Sequence, residues 1–312
     1  MSRSPLLSLE GAVEADAPDA GVAAHYGQPM HEQRRLADGS GWTDLSERDV
    51  VRISGPDRLA YLHAMTTQAF EGLAPGAYVD ALLLSPQGHV EHGFSGVDDG
   101  ETFIAHTEPG AGPALVAFLE RMKFMMRVES HLDDTLAVIG RRDGVDLVNR
   151  ADLASLPQSY GLPSGLEAYE ALRIAAGRPR IGRDNDHRSI PNELGLIAAD
   201  SSRAVHLTKG CYRGQETVAR VHNLGRPPRR LTLLLLDGSA DRLPAHGSDV
   251  MAGDRTAGRV GSSARHHELG PIALALVKRS TPLDLTLVVD DVAAAQEPVV
   301  DPDVGLHVRA MR

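Results

Sequence analysis

The sequence predicts an α+β protein of more than one domain that ends in a small antiparallel β-barrel or sandwich. With 312 residues, the chain is too long for one small core. Helical and strand patterns are mixed along the first two thirds, whereas short strands separated by glycine turns fill the last third. The pattern changes at Pro227-Pro228, and we predict a domain boundary near residue 228.

The chain therefore divides into three predicted segments. Residues 1–40 are rich in Ala, Gly, Asp and Pro and have little periodicity, so we expect an irregular leader. Residues 41–227 carry the mixed helices and strands, and residues 228–312 carry the predicted barrel.

The first regular elements are a strand and a helix. Val50–Ile53 reads as a strand that ends at a Ser-Gly-Pro-Asp turn. Pro56 suits a first helical turn, and Asp57 suits the positive end of the helix dipole. Leu59 and Leu62 then follow at helical spacing.

Three further helices are predicted. One begins near Pro113 and carries Leu115, Leu119, Met122 and Met126 as a single apolar stripe. We expect the methionine cluster of residues 122, 125 and 126 to belong to the core. Another runs over 167–176 and ends at Gly177, and a third over 215–221.

The remaining strands are short apolar runs bounded by turn residues. They are predicted at Ala81–Ser85, Thr102–His106, Leu136–Gly140, Leu231–Leu236, Arg259–Ser262, Ile272–Val277 and Leu283–Val289.

Composition excludes several classes of function. A net charge of −10 argues against a broad nucleic-acid surface, and the Arg-rich spot at Gly225–Arg230 reads as a solvated linker. No apolar run approaches the roughly 20 residues that span a bilayer, and the first residues lack an export signal. We therefore expect a cytoplasmic protein with no membrane partner.

The single cysteine excludes an intramolecular disulfide and a cysteine-built metal cage, so no permanently bound metal is expected. It lies in the segment Lys209-Gly210-Cys211-Tyr212-Arg213-Gly214-Gln215-Glu216. Two glycines allow an unusual backbone, and the cations of Lys209 and Arg213 would stabilise a thiolate. The alternative is that Cys211 is a small buried apolar residue.

This segment resembles the K-G-C-Y-x-G-Q-E signature of the YgfZ family. Other segments are similar to the family's in the same order: VRISGPDRLAYL at 51–62, LSPQGHV at 84–90, RIAAGRPR at 173–180 and IPNELGL at 190–196. The likeness runs from about residue 40 to residue 310.

The resemblance implies the fold of the glycine-cleavage T-protein, a ring around a folate cavity that ends in a β-barrel. Residues 41–227 would then form the folate-binding, aminomethyltransferase-like region, in two subdomains. It also implies a role in assembly or repair of four-iron clusters, with an indirect effect on tRNA modification. The expected partners are cluster-assembly proteins or client enzymes, and the expected cofactor is tetrahydrofolate or a derivative.

The same resemblance assigns roles to residues. Cys211 and Lys209 match the family's functional pair, and Cys211 is expected on the cavity rim as a transient iron ligand. Gly210, Tyr212, Gly214, Gln215 and Glu216 complete the motif loop. Arg173, Tyr212 and Gln215 are the expected folate contacts.

Two other functions stay open. An aminomethyltransferase needs a carboxylate near the reacting nitrogen, but the stretch Gly88–Phe94 lacks the T-protein's Asp pair and offers only Glu91. Ala175 also replaces the glutamate by which T-proteins hold the pterin. A ligand-free scaffold for cluster-assembly proteins is the second alternative. We expect no classical enzyme.

Other motifs carry no function. Gly110-Ala111-Gly112 lacks the third glycine of a dinucleotide loop, and no phosphate-binding G-x-x-x-x-G-K-[ST] loop is present. His266-His267 is expected in an exposed loop, because neighbouring strand residues point to opposite faces.

Overall fold

The computed structural model describes residues 3–240 and 242–305. Its helices are α1 to α6, at Pro29–Ala37, Arg58–Met65, Gly112–Met122, Leu156–Tyr160, Leu166–Ala175 and Gln215–Leu224. Strands β1 to β10 lie at Val13–Glu14, Ala23–His25, Thr43–Asp44, Asp49–Ser54, Tyr78–Leu84, Val90–Asp98, Thr102–Thr107, Glu129–Leu132, Leu136–Arg141 and Gly144–Asn149. Strands β11 to β18 lie at Ile197–Ala198, Val205–His206, Arg229–Leu236, Asp249–Ala252, Arg255–His266, Gly270–Lys278, Leu287–Val289 and Val292–Pro298.

The described strands form two main sheets and a barrel. A five-stranded antiparallel sheet has the order β5-β6-β7-β4-β8, and a three-stranded sheet has the order β10-β9-β3. Strands β13 to β18 close into an antiparallel barrel of six strands, so the barrel prediction is confirmed over the sandwich. Within the described residues, none of the helices has the length and apolarity needed to cross a bilayer.

Strand β13 shows why the leucine run of the last third folds as it does. Leu231 and Leu233 face the apolar cluster that joins the barrel to the rest of the chain, whereas Leu234 and Leu236 face the barrel interior. A strand that is buried on both faces reads as a continuous apolar run rather than an alternating one. The joining cluster also contains residues of β5, α5 and α6, so it fixes these elements against one another.

The expectation of an irregular leader over residues 1–40 is wrong where α1 lies. Pro29 starts this helix, and Leu36 is buried at its inner face. The buried carboxylate of Glu32 accepts hydrogen bonds from the backbone N–H groups of Tyr26 (2.9 Å) and Gly165 (2.8 Å). Long-range contacts of this kind order the segment, and composition does not reveal them. The division at residue 228 stays a prediction.

The methionine cluster is the other correction. Helix α3 ends at Met122, because Phe124 takes a φ of 49°, outside the helical region. Only Met126 packs on the core of the five-stranded sheet. Met125 is 84% exposed and Met122 is 38% exposed, so the expectation that these methionines are core residues is wrong for these two.

Candidate functional site

The Cys211 loop, residues 207–214, connects strand β12 to helix α6. The thiol of Cys211 is exposed, so the alternative of a buried apolar cysteine is wrong. Gly210 and Glu216 are exposed as well, and Glu216 lies in the first turn of α6, where the helix dipole favours a carboxylate. Tyr212 is half-buried against the joining cluster, and burial raises its pKa to about 12.

Two glycines lock this loop to the turn between β5 and β6. Gly214 has a φ of +82°, and a Cβ at this position would lie 2.5 Å from Ser85 O and 2.9 Å from the Cα of Gly88. Gly88 has a φ of +83°, and a Cβ there would lie 2.8 Å from the Cβ of Thr217. Both positions therefore require glycine for backbone conformation and for space.

Lys209 is buried, and its side chain caps the C-terminal end of helix α2. Its ammonium donates hydrogen bonds to the carbonyl oxygens of His63 and Thr66, the latter at 2.6 Å. It also lies 5.2 Å from the ring centroid of Tyr212. A cation at a helix C-terminus satisfies carbonyls that lack intrahelical partners. Burial lowers the pKa of Lys209 to about 8.

The second cation of the motif is also engaged. The guanidinium of Arg213 lies 3.2 Å from the carboxylate of Glu91 and 5.7 Å from the ring centroid of Phe118. Both cations that were expected to stabilise a thiolate thus have other partners. Lys209 and Arg213 hold the loop in place, and Glu91 lies outside the cavity described below.

His63 is a neighbour of the loop that sequence reasoning missed. Its Nδ1 accepts the backbone N–H groups of Phe70 (3.2 Å) and Glu71 (3.3 Å), so the neutral ring carries its proton on Nε2. A Cβ at Gly210 would lie 3.9 Å from this Nε2. Burial and then the Lys209 cation lower the pKa of His63. No spacing rule links residues so far apart in sequence.

A cavity of about 370 Å³ opens between the two sheets and helix α5. Its wall consists of the inner face of β5 to β7, the β9–β10 turn, one side of α5 and two loops. These surfaces contribute residues 80–82, 93–95, 106–108, 143–145, 178–181 and 202–204, together with Arg48, Tyr78, Tyr169, Arg173 and Leu196.

The structure separates most of the expected site residues from this cavity. Arg173 lines it, but Cys211, Tyr212 and Gln215 are not among the described residues that do. The roles expected of Cys211, Tyr212 and Gln215 at a folate site therefore stay predictions, and these three residues do not line this cavity. The loop packs against the joining cluster through Tyr212.

Arg173 lines the cavity without a free donor. Its five N–H groups are all used, by the two carboxylate oxygens of Glu170, by Asp184, by Arg178 O and by the hydroxyl of Ser262, at 2.6–2.9 Å. Arg173 therefore ties α5 to barrel strand β15 and has no hydrogen left for a ligand.

Other polar groups in the wall lack partners. His106 is 4% exposed, and its Nε2 bonds to the hydroxyl of Tyr78 at 2.8 Å. Its Nδ1 and the Nε of Arg48 are buried atoms without a hydrogen-bond partner. Burial and then the Arg48 cation lower the pKa of His106 to about 3, so this imidazole is neutral. The sequence alone gives no signal for this pair.

His266, His267 and Glu268 are a cluster at the β15–β16 turn. The two rings stack with centroids 4.6 Å apart, and His266 is buried, so the expectation of an exposed pair on opposite faces is wrong. The Nδ1 of His266 accepts the backbone N–H groups of Glu268 and Leu269, both at 3.2 Å. The neutral ring then carries its proton on Nε2, which leaves no lone pair for a metal.

Comparison with known proteins gives relatives along most of the chain, although no family model matches it. The tRNA-modifying protein YgfZ of Edwardsiella ictaluri is 28% identical over 307 residues, 92% of this chain and 83% of the relative. A mitochondrial iron-sulfur cluster assembly factor IBA57 homolog of Pyricularia oryzae is 26% identical, over 85% of this chain and 81% of the relative.

For other relatives the aligned part is shorter. The chain spans 56% of a chloroplast protein of Arabidopsis thaliana and 41% of an aminomethyltransferase of Corynebacterium jeikeium.

A solved structure confirms the fold. The glycine cleavage system aminomethyltransferase T of Bartonella henselae superposes with a TM-score of 0.76, over 91% of this chain and 92% of that chain, at 15% identity. Its fold, the closed antiparallel barrel and the YgfZ and IBA57 relatives agree with the resemblance drawn from the Cys211 segment. The chain therefore has the fold of the glycine-cleavage T-protein and is similar in sequence to proteins of the YgfZ family.

Proposed function

We propose that this protein binds a tetrahydrofolate in its cavity and uses Cys211 to assist the assembly or repair of four-iron enzymes. Its effect on tRNA modification is then indirect, through client enzymes that carry such clusters. The observation that carries the proposal is the exposed thiol on a fixed loop. The names of two relatives, a tRNA-modifying protein and a cluster assembly factor, support it.

The Cys211 loop is built to present its thiol in one place. The Gly88–Gly214 contact holds one end of the loop, and the buried ammonium of Lys209 holds the other. On giving up its proton, the sulfur becomes a ligand for one iron of a cluster in transit, and displaces one ligand of the donor protein. A four-iron cluster needs more ligands than one thiolate, so the partner supplies the others.

The cavity suits the ring system of a folate. Its volume of about 370 Å³ falls within the roughly 300–1,000 Å³ typical of small-molecule sites. The ring of Tyr78, which is 43% exposed, offers a flat surface, and His106 Nδ1 and Arg48 Nε offer unused polar atoms. These three residues would hold the pterin. A bound tetrahydrofolate supplies a carrier for one-carbon units.

Aminomethyl transfer is the second candidate, and Asp80 favours it. This carboxylate lines the cavity and accepts a hydrogen bond from Ser95 (2.5 Å), so it is placed to act on a bound folate. Of the two other carboxylates in the cavity wall, Glu108 is paired with Arg180, and Asp143 lies 3.6 Å from the guanidinium of Arg142. A glycine-cleavage assay with tetrahydrofolate tests this candidate directly, with Asp80→Asn as the variant that should abolish any activity.

The test of the main proposal is complementation of a strain that lacks its own copy of this protein. Wild type should restore the activity of a four-iron enzyme, Cys211→Ser should fail, and Thr208→Ser, a conservative change in the same loop, should succeed. Full activity with Cys211→Ser would contradict the thiol role. Calorimetry with tetrahydrofolate decides between a folate protein and a ligand-free scaffold, because the scaffold gives no binding heat.

A further inference from the structure

The tip that follows helix α3 exposes large apolar side chains. Phe124 is 89% exposed, Met125 is 84% exposed and Met122 is 38% exposed. Three of four consecutive residues thus present apolar surface to water. Polar residues at these positions would not lower the stability of the fold. A contiguous apolar patch on a folded surface marks an interaction site. We call residues Met122–Met125 the apolar tip.

The backbone of the apolar tip is strained at Phe124. Phe124 has a φ of 49°, a region that bulky residues avoid and that glycine or asparagine fills at low cost. No burial compensates, because the phenyl ring is almost fully exposed. Backbone strain that no packing of the side chain offsets is typical of functional positions.

The apolar tip adjoins the Cys211 loop. Phe118 lies one helical turn before Met122, and its ring contacts both Arg121 (5.5 Å) and Arg213 (5.7 Å). Arg213 follows Cys211 by two residues, which span at most about 7 Å of chain. A partner that covers the apolar tip and Phe118 therefore lies beside Arg213, two residues from the thiol.

The charge around the apolar tip differs from that of the whole molecule. Residues 121–127 contain Arg121, Lys123 and Arg127 and no acidic residue, in a chain with a net charge of −10. Their ion-pair partners, Glu120 for Lys123 and Asp57 for Arg127, come from outside the segment. A complementary surface would be an apolar groove bordered by carboxylates.

We propose that the apolar tip is the docking surface for the partner protein that exchanges a cluster at Cys211. The partner has an apolar groove for Phe124 and Met125 and an acidic residue that faces Arg121. This inference rests on the proposed function, since it names the place where the partner of that function binds.

Phe124→Gly gives the sharpest test, because glycine removes the side chain and also relieves the positive φ. We expect a thermal midpoint equal to or above that of wild type, unchanged tetrahydrofolate binding, and at least a fivefold loss of four-iron enzyme activity in the complementation strain. Met125→Ser should cause a smaller loss in the same direction. The matched control is the double variant Leu283→Ser/Leu285→Ser, which changes exposed barrel residues and should complement fully.

The outcomes are separable. If wild type itself fails to complement, the proposed function fails; if wild type complements and Phe124→Gly does so equally, only the docking surface is wrong. A lipid surface is the rival occupant of a basic, apolar tip. Sedimentation of wild type with phosphatidylglycerol vesicles, abolished in Phe124→Gly, would also overturn the proposal.

Discussion

Gly88 and Gly214 lie in backbone contact, so that a Cβ on Gly214 would come within 2.9 Å of the Cα of Gly88. The contact joins the β5–β6 turn to the end of the Cys211 loop, two segments far apart in sequence. It is the reason why the turn predicted after the strand at Ala81–Ser85 matters to the position of the thiol.

Gly214→Ala should lower the free energy of unfolding by about 2 kcal/mol or more. Of this, about 1 kcal/mol comes from placing alanine at a positive φ, and the rest comes from the clash with Ser85 O. Gly76→Ala is the matched control, since Gly76 has the same φ of +82° with open space around it. Urea unfolding measures the free energy of unfolding of both variants. Equal losses in the two variants would show that the close contact at Gly214 does not contribute to the destabilisation.

Lys209→Met should destabilise the protein by about 1–2 kcal/mol, because two carbonyl oxygens at the end of α2 lose a charged donor. The rate of Cys211 alkylation by iodoacetamide should stay within about twofold, since the ammonium serves those carbonyls. Lys278→Met, which removes an exposed lysine bonded to Thr256 O at 2.7 Å, is the control and should cost little. A tenfold fall in alkylation at unchanged stability would restore Lys209 as a partner of the thiolate.

His106 should make the protein sensitive to acid. Its folded pKa of about 3 lies below the unfolded value of about 6.5, so the unfolded chain binds a proton over this interval and the folded chain does not. The free energy of unfolding should therefore fall as the pH drops from 6.5 towards 4.5. One proton contributes a slope of about 1.4 kcal/mol per pH unit.

His106→Gln should reduce the slope of the unfolding free energy against pH by the contribution of about one proton. His187→Gln, at an exposed histidine, should leave that slope as in wild type. The measurement is denaturant unfolding at several pH values between 4.5 and 6.5. Identical slopes in wild type and His106→Gln would refute the buried neutral imidazole.

Arg173→Met should cost about 3–5 kcal/mol, because it leaves the carboxylates of Glu170 and Asp184 with a missing buried partner. Arg141→Met breaks the exposed pair with Asp146 and should cost less than about 1 kcal/mol. Thermal unfolding compares the two. Near-wild-type stability of Arg173→Met would mean that Arg173 is free to serve a ligand after all.

Local pattern predicted the elements that carry local signals. The helix after Pro56, the strand at Thr102–His106 and the leucine strand of the barrel follow from periodicity and turn residues, and the structure confirms them. The predicted strand at 283–289 is shorter in the structure, because Leu285 N bonds back to Pro282 O in a turn and only Leu287–Val289 pairs.

Long-range contacts could not be predicted. Lys209 bonds to the carbonyl oxygen of Thr66, and Tyr78 bonds to His106. Both hydrogen bonds join residues far apart in sequence, so no local periodicity predicts them. Arg173 was expected at the ligand because a motif names residue types and not partners. The exposure of Met125 depends on the φ of Phe124, which composition does not reveal. The role of Cys211 stays a prediction.

The hydrogen bonds between Lys209 and the end of α2 also couple the local unfolding of these two segments. Withdrawal of the loop would leave the carbonyl oxygens of His63, in the last turn of α2, and of Thr66, at its C-cap, without this donor. The final turn of the helix and the loop should therefore open as one cooperative unit, and their amide hydrogens should exchange with deuterium at a common rate.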